Sequence, residues 1–339
     1  MDVVDGLTVE LGPDHTDTLS AQNNFAVLLQ QAGNMGEARR LYELVVAGYT
    51  SNSSSEDMPS DADIDAAAAG QGFIPAEHFE GAKPGFAFKL GEEGMGYHNQ
   101  SKELAELKAV VVLKNTDMLT AQMNLAVLLQ QAGEITEARR LYGVVVAGRT
   151  TALGAEHAET LTAQMNLAVL LKHTGQMTEA RQLYELLVAG YTSTLGVDHV
   201  DTLSAQMNLA VLLKQTGQTE EARRLYERVV TGRAAVLGPG HADTLTAQMN
   251  LALLLAGAGE TEGAQRLYEL VVAGFTARLG AGHDDTLRAQ MDLAIMLNGA
   301  GKMEEARELF GLVAAGSAPH HPWYLYAQRQ AGLDVEELD

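Results

Sequence analysis

The chain has 339 residues, 46% of them apolar and none of them cysteine, so core material is ample while disulfide frameworks, thiolate metal sites and cysteine nucleophiles are excluded. Its formal net charge of −21 repels nucleic acid and anionic lipid, and favours basic partners if it favours any. No apolar run approaches the ~20 residues of a membrane span, and the start, Met1-Asp2-Val3-Val4-Asp5, lacks the parts of a secretion signal, so a soluble, cytoplasmic protein is expected.

In chain order, residues 1–10 read as the tail of a helix. The link Leu11-Gly12-Pro13-Asp14-His15-Thr16-Asp17 follows, in a form that recurs downstream. On this reading the chain starts in mid-repeat and is a piece of a longer array. A first helix opens at Leu19 with LSAQNNFAVLL, and a second completes a hairpin by residue 50.

The register then slips. Leu19 to Leu119 spans 100 residues, 58 more than the later period. The insert, 51–108, begins Ser51-Asn52-Ser53-Ser54-Ser55-Glu56-Asp57, a composition expected to be mostly disordered. FIPAEHFEGAKPGFAFKLGEEGMGY follows at 73–97, and Ser101 to Leu113 can form a helix. Phe79, Phe86, Phe88 and Tyr97 interleave with Lys83 and Lys89. That pattern fits a docking peptide or an unstructured insertion. Because the cut lies between hairpins, a long insertion costs little.

From residue 109 to 316 the repeat is open to view. Leu119, Leu161, Leu203, Leu245 and Leu287 each open nearly the same phrase at a spacing of 42, as in LTAQMNLAVLL at 161–171. Leu161, Leu167, Ala168, Leu170 and Leu171 form one apolar helical face to about His173, and Gly175 stops it. A second helix begins near Thr178, carries Ala180, Leu183, Tyr184 and Leu187 on one face, and is expected to end near Gly190. The link then leads to Asp201, the expected N-cap of the next first helix. No long period-two alternation is apparent, so essentially no sheet is expected. In the last part, 317–339, His321-Pro322-Trp323-Tyr324-Leu325-Tyr326-Ala327-Gln328 reads as a degenerate first helix capping the stack, with Trp323 part of that cap.

These residues carry a resemblance. Asn166-Leu167-Ala168, Leu171, Gly175, Ala180 and Tyr184 sit at the spacing of the tetratricopeptide (TPR) signature, and the other copies match. Gly33, Gly133, Gly217, Gly259 and Gly301 hold the glycine. Ala38, Ala138, Ala222, Ala264 and Ala306 hold the small crossing residue; Tyr42, Tyr142, Tyr226, Tyr268 and Phe310 hold the aromatic. The 42-residue period and the L-G-x-x-H-x-D link, as in Leu237-Gly238-Pro239-Gly240-His241-Ala242-Asp243, resemble the kinesin light chain variety. That family's heptad coiled coil is not among these residues. The resemblance implies an all-α TPR superhelix of six hairpins plus a C-terminal capping helix.

It also implies a non-catalytic scaffold or adaptor that holds protein or peptide partners, with no cofactor, nucleic acid or membrane. A regulatory array belonging to a larger ATPase or signalling protein, and a kinesin light chain-like cargo adaptor, stand as alternatives. Places 2, 5, 6, 9, 12 and 13, counted from each opening leucine, face the groove in the family. The candidates are Asn124, then Met165, Asn166, Val169 and Lys172, then Met207, Asn208, Val211 and Lys214, and then Met249 and Asn250. An asparagine amide can pair with the backbone of an extended peptide, and methionine adapts its shape. The same residues could instead serve helix packing. A clamp for a C-terminal carboxylate is disfavoured, because it needs a second Asn one turn on, where Val or Leu stands, and lysines at places 2 and 5, where Thr, Ser and Met stand. The histidine ladder at His15, His157, His199, His241, His283 and His321 has acids nearby, but hairpins stack about 10 Å apart, too far for shared metal binding. Gly91, Gly94 and Gly96 lack the lysine-hydroxyl ending of a phosphate loop.

Overall fold

The computed structural model describes residues 2–53, 74–75, 86–91, 94–99, 101–318 and 322–332, with side chains described over 3–51, 116–318 and 322–332. The chain divides into two compact units, Met1–Leu170 and Leu171–Asp339.

The first unit opens with α1 (Asp2–Leu11), α2 (Thr16–Gln31) and α3 (Met35–Ser53). A small sheet follows, made of β1 (Ile74–Pro75), β2 (Phe86–Gly91) and β3 (Gly94–Asn99). Then come α4 (Ser101–Gln131), α5 (Ile135–Leu153) and α6 (Ala158–His173), whose last residues fall in the second unit. Helices α2 with α3, and α4 with α5, pack as hairpins. The core joins Ala26, Tyr42, Leu125, Leu129, Ala138 and Tyr142.

The second unit continues with α7 (Met177–Leu195), α8 (Val200–Gln215), α9 (Thr219–Leu237), α10 (Ala242–Gly257), α11 (Thr261–Leu279), α12 (Asp284–Gly299), α13 (Met303–Gly316) and α14 (Tyr324–Ala331). Here α8 packs on α9, α10 on α11, and α12 on α13, while α14 closes on α13. The class is all-α, as the periodicity predicts. Ala222, Ala264 and Ala306 are at most 1% exposed where the helices cross. Tyr226, Tyr268 and Phe310 are equally buried, each large ring contributing apolar burial on the order of 2–3 kcal/mol.

The glycine stop in each hairpin is a left-handed C-terminal cap. Gly217 has φ 80°; its N–H donates to Lys214 O at 3.2 Å, and Gln218 N–H donates to Leu213 O at 2.8 Å. The links at Gly154, Gly196, Gly238 and Gly280 are each built by three residues acting together. Gly238 (φ 93°) ends α9, His241 N–H returns to Gly238 O at 3.3 Å, and Thr244 Oγ1 donates to the same carbonyl at 2.9 Å.

The structure departs from expectation in four places. The N-cap of α8 is His199, not Asp201: the imidazole Nδ1 accepts the N–H of Asp201 at 3.2 Å, which leaves Asp201 in the first turn, where the helix dipole favours its charge. The second helix does not end at Gly190; α7 runs to Leu195, and Gly196 (φ 92°) is the breaker. The helix expected over 101–113 fuses with the next first helix into the 31-residue α4, because Lys114-Asn115-Thr116-Asp117 contains neither Gly nor Pro. Finally, the 51–108 region holds a three-stranded antiparallel sheet of order β1-β3-β2, in which Phe88 pairs with Tyr97. Phe86, Phe88 and Leu90 alternate with Ala87 and Lys89, the period-two signal of a strand. Apart from this sheet, 51–53 at the end of α3 and 101–108 at the start of α4, the rest of that insert, where disorder is expected, lies outside the described residues, as does His321.

Candidate peptide-binding face

Each first helix presents its places 5, 6, 9 and 12 at a regular helical spacing, and the array repeats them. In the first unit, Asn124, Met165, Asn166 and Val169 are all half-buried. The amide of Asn124 donates to Asn23 Oδ1 at 3.3 Å, so amides of successive first helices meet on this face.

In the second unit, Lys172, Asn208, Val211, Lys214, Met249 and Asn250 are half-buried, while Met207 is 8% exposed. Asn250 Nδ2 donates to Thr246 O at 2.9 Å within its own helix. The methionine row is uneven: Met207 and Met291 are buried, Met291 inside the core, and Met249 packs against core residues at its edge. Place 9 becomes more open along the chain, from half-buried Val211 to Leu253 and Ile295, which are 45% and 48% exposed.

Charge enters this face at few points. Burial lowers the pKa of the Lys172 and Lys214 ammonium groups, and in Lys214 the attraction of Asp292 partly offsets it. Burial raises the pKa of the Asp292 carboxyl, with Arg288 and then Lys214 opposing. Lys214, Arg288 and Asp292 therefore share one electrostatic neighbourhood. Arg288 and Asp292 replace the Thr or Ser and the Asn of the other copies. That departure from the repeat consensus is the signal that marks them.

The tyrosines beneath this face divide by their place-12 neighbour. Tyr42 donates to Gln30 Oε1 at 3.2 Å and Tyr142 to Gln130 Oε1 at 2.9 Å. Where that place holds Lys172 or Lys214, the buried hydroxyls of Tyr184 and Tyr226 have no hydrogen-bond partner. The histidines of the links serve as caps: the Nδ1 atoms of His15, His157, His199, His241 and His283 each accept a backbone N–H at 3.2–3.3 Å. Among the described residues, no group of three His, Asp or Glu could hold a metal ion, and no helix is long and apolar enough to cross a membrane.

Comparison with known proteins gives the same repeat boundaries. One tetratricopeptide repeat model matches residues 117–193, 159–235, 201–277 and 243–317, and a second matches 18–51. No curated protein sequence matches the chain. Among solved structures, a Podosopora anserina protein named for kinesin light chain, with nearly identical TPR-like repeats, is 35% identical. The match covers 58% of this chain and 93% of that one, with a TM-score of 0.54. BtubC (BKLC) from P. vanneervenii, 19% identical over 63% of this chain and 85% of its own, has a TM-score of 0.54 and shares the fold. So does the quorum sensor NprR from B. thuringiensis, 15% identical over 69% and 66%, with a TM-score of 0.52.

Proposed function

The chain belongs to the tetratricopeptide repeat family, in its 42-residue, kinesin light chain-like form, and from that premise we propose that it is a non-catalytic, cytoplasmic scaffold whose first helices hold peptide segments of partner proteins. The observation that carries this reading is the half-buried amide row beside apolar side chains that range from half-buried to exposed. In the second unit, Asn208 and Asn250 stand next to Val211 and Leu253. An amide there can pair with the backbone of a bound segment, while the place-9 side chains take its apolar groups.

The direct test replaces Asn208 and Asn250 together by Trp. Circular dichroism checks that the array stays folded, and affinity capture with mass spectrometry reads partner retention. Partners lost from a folded variant support the groove; an unchanged set of partners refutes it. The Podosopora anserina relative favours one narrower reading, a kinesin light chain-like cargo adaptor. A captured set enriched in motor subunits would support that reading, and a set without them would remove it.

A further inference from the structure

Near-identical repeats act as controls for one another. In the second unit a cleft of about 360 Å³ lies between α11, α12 and α13. Its floor is apolar: Val272, Leu293, Leu297 and Leu309. Gln265, Glu269, Glu305 and Glu308 stand around that floor.

The charge around this cleft breaks the pattern of its neighbours. Between α7 and α9 the corresponding places hold Arg181, Glu185, Gln218, Glu221 and Arg224, two arginines against two glutamates. Between α9 and α11 they hold Arg223, Glu227, Glu260, Gly263 and Arg266, again two against two. Between α11 and α13 stand Gln265, Glu269, Lys302, Glu305 and Glu308, one lysine against three glutamates. Arg223 bridges its interface, with Nε on Glu227 at 2.9 Å and Nη1 on Glu260 at 2.6 Å. Gln265 keeps a similar bridge with a neutral amide, donating to Glu269 at 2.8 Å and Glu305 at 3.3 Å. The geometry persists, but the charge at this place is gone; the cation left in the cleft is Lys302, whose Nζ donates to Gln265 Oε1 at 2.7 Å. Lys302 lies 3.9 Å from Glu305, and among the described residues no Lys or Arg pairs with Glu269 or Glu308.

Apolar side chains flank the same cleft. Leu270 and Leu312 are 58% and 56% exposed. Leu270 is one helical turn from Ala273 in the lining, and Leu312 one turn from Glu308. In α9 the corresponding place is Arg228, which is paired with Asp198 at 2.9 Å, and in α7 it is Leu186, 60% exposed, so the exposed leucines recur in the array and the charge pattern is what sets this cleft apart.

We propose that this face docks a basic, amphipathic segment of a partner protein, seating one arginine in the cleft and apolar residues on Leu270 and Leu312. The arginine stem lies along the apolar floor. Its planar fork meets carboxylates on two helices at once, which a single ammonium does not do as well. The partner's arginine thus supplies the positive charge that the chain's own arginines supply at the two preceding interfaces. This surface is distinct from the first-helix face and does not depend on it.

The probe is a short fluorescein-labelled helical peptide with one arginine and a leucine one turn to either side, titrated with the full chain by fluorescence anisotropy. A matched peptide carries citrulline, which keeps the shape and loses the charge. The variant Gln265→Arg with Glu308→Arg puts arginine at the two places where both preceding interfaces hold it and, with Lys302 kept, turns the cleft to three cations against two glutamates. Glu220→Arg with Ala235→Arg makes the same change in net charge at exposed places of α9. Saturable binding below about 1 mM is expected, weakened at least about tenfold by citrulline and by the cleft variant, and kept by the charge-matched variant. Absence of saturable binding overturns the proposal, as does equal binding of the citrulline peptide, retention by the cleft variant, or equal loss in the charge-matched variant.

Discussion

Gly232, in the interior of α9, lies so close to Leu203 of α8 that a Cβ built on it would stand 2.7 Å from Leu203 Cδ2. Leu203 is fully buried. The same contact recurs at Gly148 with Leu119 and at Gly274 with Leu245, so the glycine sets how closely a hairpin's helices approach. Alanine in a helix interior gains about 0.5–1 kcal/mol over glycine, but overpacking a core costs about 1–3 kcal/mol. Gly232→Ala should therefore destabilise by about 1 kcal/mol. In a Leu203→Val background the same change should cost less. Urea unfolding of the double-mutant cycle measures the coupling, and strictly additive effects would contradict the contact.

The cap at His199 makes a local prediction. Its Nδ1 accepts one of the N–H groups that the start of α8 would otherwise leave unpaired. His199→Ala should cost about 1 kcal/mol, and His199→Asn should recover most of it, because asparagine is a strong cap. Thermal unfolding with amide exchange over residues 200–204 reads both. Equal losses in the two variants would mean the imidazole matters for something other than capping.

Arg233 is 7% exposed and ties one hairpin to the next. Its Nη1 donates to Asp243 O at 3.0 Å and its Nη2 to Ser204 Oγ at 3.2 Å, while its Nε is buried without a partner. Burial lowers its pKa, an indication that the charge is poorly accommodated. The neighbouring repeats place Tyr191 and Phe275 at the same position, both buried. Arg233→Ala should cost about 2–3 kcal/mol, since it leaves a void and unpaired acceptors. Arg233→Phe should be neutral or stabilising, as when buried charges are replaced by apolar packing. A urea midpoint for Arg233→Phe well below that of the parent chain would show that the guanidinium is needed for the hairpin junction.

The parts that could be read from the sequence are those fixed by short-range periodicity. The apolar i, i+3, i+4 spacing, the glycine stop at Gly217 and the Ala222–Tyr226 pair each specify a local shape, and the period of 42 repeats it. What escaped was fixed by contacts between helices. Gly190 reads locally as a stop, yet the equivalent Gly232 is an approach point that only the partner Leu203 explains. Asp201 and His199 could each cap a helix, and the backbone turn at Gly196 decides between them. On the candidate face, place numbers say which residues point one way but not how deep they lie. Met207 and Met291 are buried while Ile295, one turn from Met291, is exposed, because depth depends on the next hairpin's packing.

The buried tyrosines set an upper pH limit. Burial pushes the phenols of Tyr42, Tyr142 and Tyr226 up to about 12, and those of Tyr184 and Tyr268 also upward. A phenol with a raised folded pKa binds its proton more tightly in the folded chain than in the unfolded one, where it titrates near 10. The stability it contributes is complete below about pH 10 and is lost as pH rises toward 12. Unfolding followed by circular dichroism should therefore begin in that window. Phenolate absorbance from these five side chains should appear with the loss of helix; phenolate formation in a fully helical chain would contradict their burial.

The unpaired hydroxyl of Tyr226 should be correctable from within the array. Tyr142 finds its acceptor in Gln130, while the corresponding place beside Tyr226 holds Lys214, which offers only donors. An unsatisfied buried polar group costs about 1–3 kcal/mol, and Lys214 adds a partly desolvated charge with a lowered pKa. A lysine whose folded pKa is lowered destabilises the fold while it is charged, and that cost fades as pH rises through the folded value. Lys214→Gln copies the first two hairpins and should stabilise the chain by about 1 kcal/mol near neutral pH, after allowing for the lost attraction to Asp292. The gain should shrink at alkaline pH, where the parent lysine is neutral. Urea midpoints of parent and variant at pH 7 and at pH 10.5, the ordinary lysine value, test both statements. A variant less stable than the parent at pH 7 would show that the Asp292 attraction outweighs the missing tyrosine hydrogen bond.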